Sequence, residues 1–149
     1  MNYTENYNLK KPAQTDYYDV DDFNANADTT DAKLKDLYDR KAEIATGTYT
    51  GAGKDGPSNQ NSLTFAFHPK LVLIQKSGGA VANATAIING SDVSMYVQTS
   101  DARTGQTATY TASTKTLKWY SGTGIGAGNP DRQMNESGTT YTYVAIGKL

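Results

Sequence analysis

Residues 62–75 read SLTFAFHPKLVLIQ, and the period of their apolar side chains decides the fold class. A repeat of two is the signature of a strand, and Pro69 introduces a turn into the most apolar and therefore most buried run, Leu71 to Ile74. Outward from this stretch the same period recurs in TGTYTG around Tyr49, ATAIING, DVSMYVQT, ATYTAS, TLKWYSG and TTYTYVAIG, separated by Gly, Asn, Ser and Asp clusters. The last of these sets Tyr141, Tyr143 and Ala145 on one face and Thr142, Val144 and Ile146 on the other. The pattern predicts a mainly β chain whose residues 46–149 form an all-β head arranged as a two-sheet sandwich.

Upstream the period changes. Val20, Phe23, Ala27, Thr30, Leu34, Leu37, Lys41 and Ile44 recur at steps of three and four, the a and d positions of a heptad. A short coiled-coil helix over residues 19–45 follows, with Asp19 as N-cap, Asp21, Asp22 and Asp28 toward its positive end and Lys35, Arg40 and Lys41 toward its negative end. Asp31 with Lys35 and Asp36 with Arg40 add i,i+4 pairs. Thr30 and Lys41 weaken the seam, so the helix is read either as an oligomerisation stem or as one amphipathic helix packed on its own β domain. Residues 1–18, polar and interrupted by Pro12, read as an extended arm.

The chain has 149 residues, enough for one ordinary domain with an appendage. With 14 Lys and Arg against 15 Asp and Glu it lacks the basic footprint of a nucleic-acid binder. It has no cysteine, so disulfides, thiolate chemistry and Cys-based zinc sites are excluded. No stretch approaches the roughly 18 consecutive apolar residues of a membrane span, and the N-terminus has no apolar export signal, so neither membrane insertion nor classical secretion is expected.

Chemistry has few candidates. His68 is the single histidine and, beside Pro69, reads as a turn or edge residue more readily than as a general base. Asp16, Asp19, Asp21 and Asp22 fail the order of a calcium loop at Phe23, GAGKDG lacks the Lys-Ser/Thr of a phosphate loop, and GTGIGAG departs from G-x-G-x-x-G. No metal, cofactor or catalytic residue is assigned, and the Asn-x-Ser/Thr triplets at Asn83, Asn89 and Asn135 have no secretory context. What remains is recognition. Tyr96, Tyr110, Trp119 and Tyr120 stand near loops rich in Gly, Asn, Asp and Ser, a combination that suits a glycan, by stacking on its sugar rings, or a protein surface, although Trp119 fits equally well as a core aromatic.

The stretch YNLKKPAQTDYYDVDDFNANAD, Tyr7 to Asp28, resembles the N-terminal motif of tail-fibre and tail-appendage proteins of phages, prophages and phage-tail-like contractile particles. The GTYTG opening at Gly47–Gly51, the F-x-P-K strand at Phe67–Ile74 and the N-x-SG-x-TY-x-Y-x-AIG close at Asn135–Gly147 are similar to the small β modules that end such fibres. The resemblance implies a non-enzymatic, homotrimeric virion or particle component, assembled in the bacterial cytoplasm and acting outside the cell. Its arm (Tyr7, Leu9, Pro12 and Tyr17) would dock on tail or baseplate proteins. Its helix (Val20, Phe23, Ala27, Thr30, Leu34, Leu37 and Ile44) would trimerise, and its head would present Tyr96, Tyr110, Trp119 and Tyr120 to a cell-surface glycan or envelope polymer of teichoic-acid type. Family fibres carry long shafts, and here the helix meets the β head within a few residues, which keeps open a purely structural tail, baseplate or collar subunit. A depolymerase would need an acid/base pair that the chain does not offer.

Overall fold

Asp19 starts the one long helix as a cap should: its backbone is extended and its carboxylate accepts the Asp21 N–H. The computed structural model, which describes residues 2–17, 19–78, 82–99, 103–121 and 129–148, carries this helix, α1, over Val20–Arg40. The chain divides into two units, residues 1–41 and 42–149.

In the first unit the arm is not extended. It folds into a small hairpin, β1 (Asn2–Tyr3) paired antiparallel with β2 (Lys10–Lys11), closed by the Thr4 hydroxyl accepting the Leu9 N–H and by Asn8 at φ 54°. The hairpin is clasped to α1 by side chains of the helix. The Asn26 amide accepts from the Lys10 N–H at 2.8 Å and donates to the Lys10 carbonyl at 2.9 Å, and so acts as an added peptide group. The Lys10 ammonium pairs with Asp22, the one buried residue of α1. Along the exposed face Lys35 bonds Asp39 and Arg40 pairs with Asp36. The Asn26→Ala variant loses both clasp bonds, worth about 1 kcal/mol each. Amide exchange at Lys10 should accelerate at least severalfold while the second unit is unchanged; equal exchange in both proteins would show that the clasp does not hold the arm.

α1 stops at Arg40. Lys41 already has an extended backbone, and the alternating EIATGTYT run that follows forms β3 (Glu43–Thr50). Ile44, expected at the last heptad position, therefore lies in a strand, and the helix ends about four residues earlier than the heptad pattern extends.

The second unit contains β3, β4 (Asn61–Thr64), β5 (His68–Lys76), β6 (Asn83–Asn89), β7 (Asp92–Gln98), β8 (Arg103–Thr111), β9 (Thr116–Ser121) and β10 (Thr140–Lys148). The expectation of two facing sheets is not met as such: the strands join into one antiparallel sheet of order β3-β10-β5-β6-β7-β8-β9-β4. Chain length forces it to curl. β4 and β5 lie five places apart, about 24 Å in a flat sheet, yet only Phe65–Phe67 connect them. Four Cα steps reach about 14 Å at most. The curl brings Tyr49 of β3 to Trp119 of β9, with ring centroids 6.2 Å apart, so one sheet supplies both walls of the core. The core holds Phe65, Phe67, Val72, Ile74, Ala86, Ile88, Met95, Val97, Leu117, Trp119, Tyr141 and Ala145.

The turn expected at Pro69 is displaced. The chain turns at Phe65–Phe67, and Pro69 is buried inside β5, ahead of the β6 pairing that begins at Leu71, where its missing N–H breaks no bond to that strand. Opposite it the register of β10 slips between Ile146 and Gly147, and a Cβ on Gly147 would collide with the His68 carbonyl oxygen. Only glycine fits this close approach.

Candidate functional site

Strand alternation sorts the four aromatic residues nominated for recognition. Trp119 and Tyr110 point inward. Trp119 is 1% exposed, donates its indole N–H to the Gln133 carbonyl at 2.9 Å and meets the Tyr49 ring edge to face. Tyr110 is buried, with its hydroxyl 2.9 Å from His68 Nδ1. Both are core residues, buried away from any surface contact, contrary to the role expected for them. Tyr120, paired opposite Thr107, is half-buried on the outer side. Tyr96 also lies on the outer face and is 46% exposed.

Tyr96 organises the outer corner formed by β6, β7 and β8. Its cross-strand neighbours are Thr85 and Gly105, and the absent side chain at Gly105 leaves the ring room to lie over that strand. The Arg103 guanidinium sits 4.6 Å from the ring centroid, a cation–π contact that fixes ring and charge together. Asn83, Ser94, Gln98 and Ile87 complete a shallow depression of about 350 Å³ around them. An aromatic face beside a guanidinium and several amide or hydroxyl groups can stack on a sugar ring, bond its hydroxyls and attract an anionic substituent. The signal for Arg103, Asn83, Ser94 and Gln98 was beyond sequence pattern, because only the pairing register brings them together.

The fully buried Gln133 holds the loops at one end of the sheet. Its side-chain carbonyl accepts the Gly56 N–H at 2.9 Å and the Ser121 N–H at 3.2 Å, while its amide donates to the Asn59 carbonyl at 2.6 Å. Asn135 does the same for GAGKDG, accepting the Ala52 N–H at 2.8 Å and donating to the Lys54 carbonyl at 2.6 Å. Its amide is thus committed to structure; Asn83 and Asn89 stand exposed at the two ends of β6. GTGIGAG lies outside the described residues.

Burial holds the phenols of Tyr49, Tyr110 and Tyr141 above the usual tyrosine range, so they stay neutral at physiological pH; Tyr49 donates to the Met134 carbonyl, and Tyr141 accepts the Glu136 N–H. Among the described residues no three His, Asp or Glu side chains converge as a metal site, and no helix is long and apolar enough to cross a membrane.

In the first unit, the stem residues Val20, Phe23, Leu34 and Leu37 are each more than half exposed, and Ala27 and Thr30 are exposed as well. Of the arm residues nominated for attachment, Tyr7 and Leu9 join Thr30, Lys33, Leu34 and Leu37 around an apolar cleft of about 120 Å³, while Pro12 and Tyr17 stand in solvent. The structure therefore merges part of the expected attachment set with part of the expected stem set.

No protein-family model, curated protein or solved structure matches the chain. The class defined by fold and surface is a mainly β protein with one curled eight-stranded sheet, a clasped helical unit and an aromatic, cationic corner on the sheet's outer face.

Proposed function

We propose that the chain is a non-enzymatic, tail-fibre-like protein of a phage or contractile phage-tail-like particle, docking through its arm, trimerising through α1 and presenting its sheet unit to an envelope glycan. The observation that carries this reading is the Tyr96–Arg103 corner, an exposed aromatic fixed by a cation among hydrogen-bonding side chains. It suits a polymer that combines sugar rings with negative charge, as teichoic acids do. The apolar seam of α1 supports self-association, because Val20, Phe23, Leu34 and Leu37 stay more than half exposed even where Tyr7 and Leu9 border the last two. The resemblance at Tyr7–Asp28 and Asn135–Gly147 supplies the particle.

The test uses fluorescently labelled protein and intact cells of a host targeted by the parent particle. Tyr96→Ala with Arg103→Ala should reduce saturable binding at least tenfold or so, with unfolding free energy within about 0.5 kcal/mol of the parent because both side chains are at the surface. Undiminished binding by a folded double variant would remove the corner from the account. A parent protein that assembles onto particles yet binds no cells would favour the purely structural subunit, a role to which the exposed aliphatic side chains Ile44, Leu73 and Ile87 lend themselves.

A further inference from the structure

The pairing register lays the outward side chains of five neighbouring strands in rows that cross the sheet. One row runs Thr142, Gln75, Asn83, Gln98 and Arg103, from β10 through β5, β6 and β7 to β8. The next row, about 7 Å away along the strands, runs Val144, Leu73, Thr85, Tyr96 and Gly105. Every member of the first row carries a hydrogen-bonding group. The second sets aliphatic surface beside it on β10 and β5 and an aromatic ring on β7. Among the described residues the side-chain amides of Gln75, Asn83 and Gln98 have no hydrogen-bond partner. Arg103 is the single charged residue of the two rows, so no carboxylate in them opposes an anionic ligand. The rows also join two depressions. Asn83 and Thr85 border the Tyr96–Arg103 corner, and the same two residues border a second depression of about 420 Å³ that continues over β5 to β10 with Leu73, Gln75, Thr142 and Val144. From β10 to β8 the pair covers four strand spacings, about 19 Å.

We infer that the second depression is a subsite for the next, uncharged unit of the same polymer, so that the protein reads an internal stretch of a linear glycan laid across the strands, with its anionic unit at Arg103 and a neutral sugar over Leu73 and Val144. The inference rests on the reading of the Tyr96–Arg103 corner as a glycan site. Two observations select this occupant. First, the depressions are continuous: a chain that leaves the corner over Asn83 and Thr85 enters the second depression directly. Second, both repeat one arrangement. Tyr96 has Gln98 two residues along its strand and Arg103 beyond it, and Leu73 and Val144 have Gln75 and Thr142 in the same relation. A ring packed on the apolar row therefore has its hydroxyl edge beside the polar row at either end. The ends differ in charge alone, which sets a preference for a polymer whose anionic and neutral units adjoin.

The test titrates the full chain calorimetrically with anionic wall polysaccharide from a host targeted by the parent particle, hydrolysed and separated into single repeats and longer fragments. The parent protein should bind the longer fragments at least about tenfold more tightly than single repeats. A Leu73→Ala, Gln75→Ala protein should bind single repeats as the parent does and lose the gain with length. Gln75→Ala alone, at the surface, gives the same reading should the double variant lose its β-sheet circular dichroism. A folded variant that keeps the full gain would assign it to several copies bridging one polymer and overturn the subsite, and a parent that binds all lengths alike would do the same; in both cases the corner stands. A variant weakened equally toward single repeats would make the two depressions one site and reject a separate subsite. A parent that binds no fragment of any length, whether or not it binds cells, would overturn the glycan reading itself and the subsite with it.

Discussion

Trp119→Ala destabilises the sheet unit by about 3–5 kcal/mol, the range for removing a large buried aromatic, and this is expected whether or not the protein binds cells. Three losses combine. The indole leaves a cavity between β9 and β3, the Tyr49 ring loses its edge-to-face partner, and the Gln133 carbonyl loses the donor at 2.9 Å. A domain of this size has about 5–15 kcal/mol in hand, so the variant should unfold at a much lower urea concentration. The transition is followed by circular dichroism, because the substitution removes the chain's one tryptophan. A loss below about 1 kcal/mol would be out of keeping with a core aromatic. The consequence for recognition is direct: any loss of cell binding in this variant reports unfolding, and Tyr96 and Arg103 are the positions at which binding is to be tested.

Gln133→Leu has the second large effect, for a different reason. Leucine fills similar space but leaves the Gly56 N–H, the Ser121 N–H and the Asn59 carbonyl without the partner they have now. A buried polar group left unsatisfied costs about 1–3 kcal/mol; because the three groups share one side chain and can relax together, a total on the order of 4 kcal/mol is expected. The signature is local as well as global. Exchange of the Gly56 and Ser121 amides should accelerate far more than that of Val72 or Val97 in the sheet centre, which are fully buried. Uniform acceleration across the sheet, or none, would mean that Gln133 fills space without organising the loops.

Much of the sheet was legible from alternation alone. The faces of β10 follow from TTYTYVAIG: Tyr141 and Ala145 are fully buried, while Thr142, Val144 and Ile146 lie on the other side. The same parity rule contains the correction at Trp119 and Tyr120, since neighbours on a strand cannot share a face and at most one of them could reach a ligand. What alternation does not carry is pairing order. The curl depends on β4 and β5 being separated by three residues, and Phe65, Phe67 and Leu63 continue the strand period straight through that break. Nor does composition mark the clasp. Asp22 reads as a helix-start residue and Asn26 carries no signal of its own, and their partner at Lys10 becomes visible only when the hairpin folds back. Heptad spacing ran past the helix end because Ile44 satisfies both periods at once, and the β-rich EIATGTYT run decides it as a strand.

Self-association through α1 is the claim on which the account rests, and sedimentation equilibrium of the full chain at micromolar concentration tests it most directly, with a Leu34→Asp, Leu37→Asp protein alongside. The account predicts a parent mass three times the 16.0 kDa of one chain and a monomeric double variant that keeps its β-sheet circular dichroism. A parent chain that sediments as a monomer would contradict it.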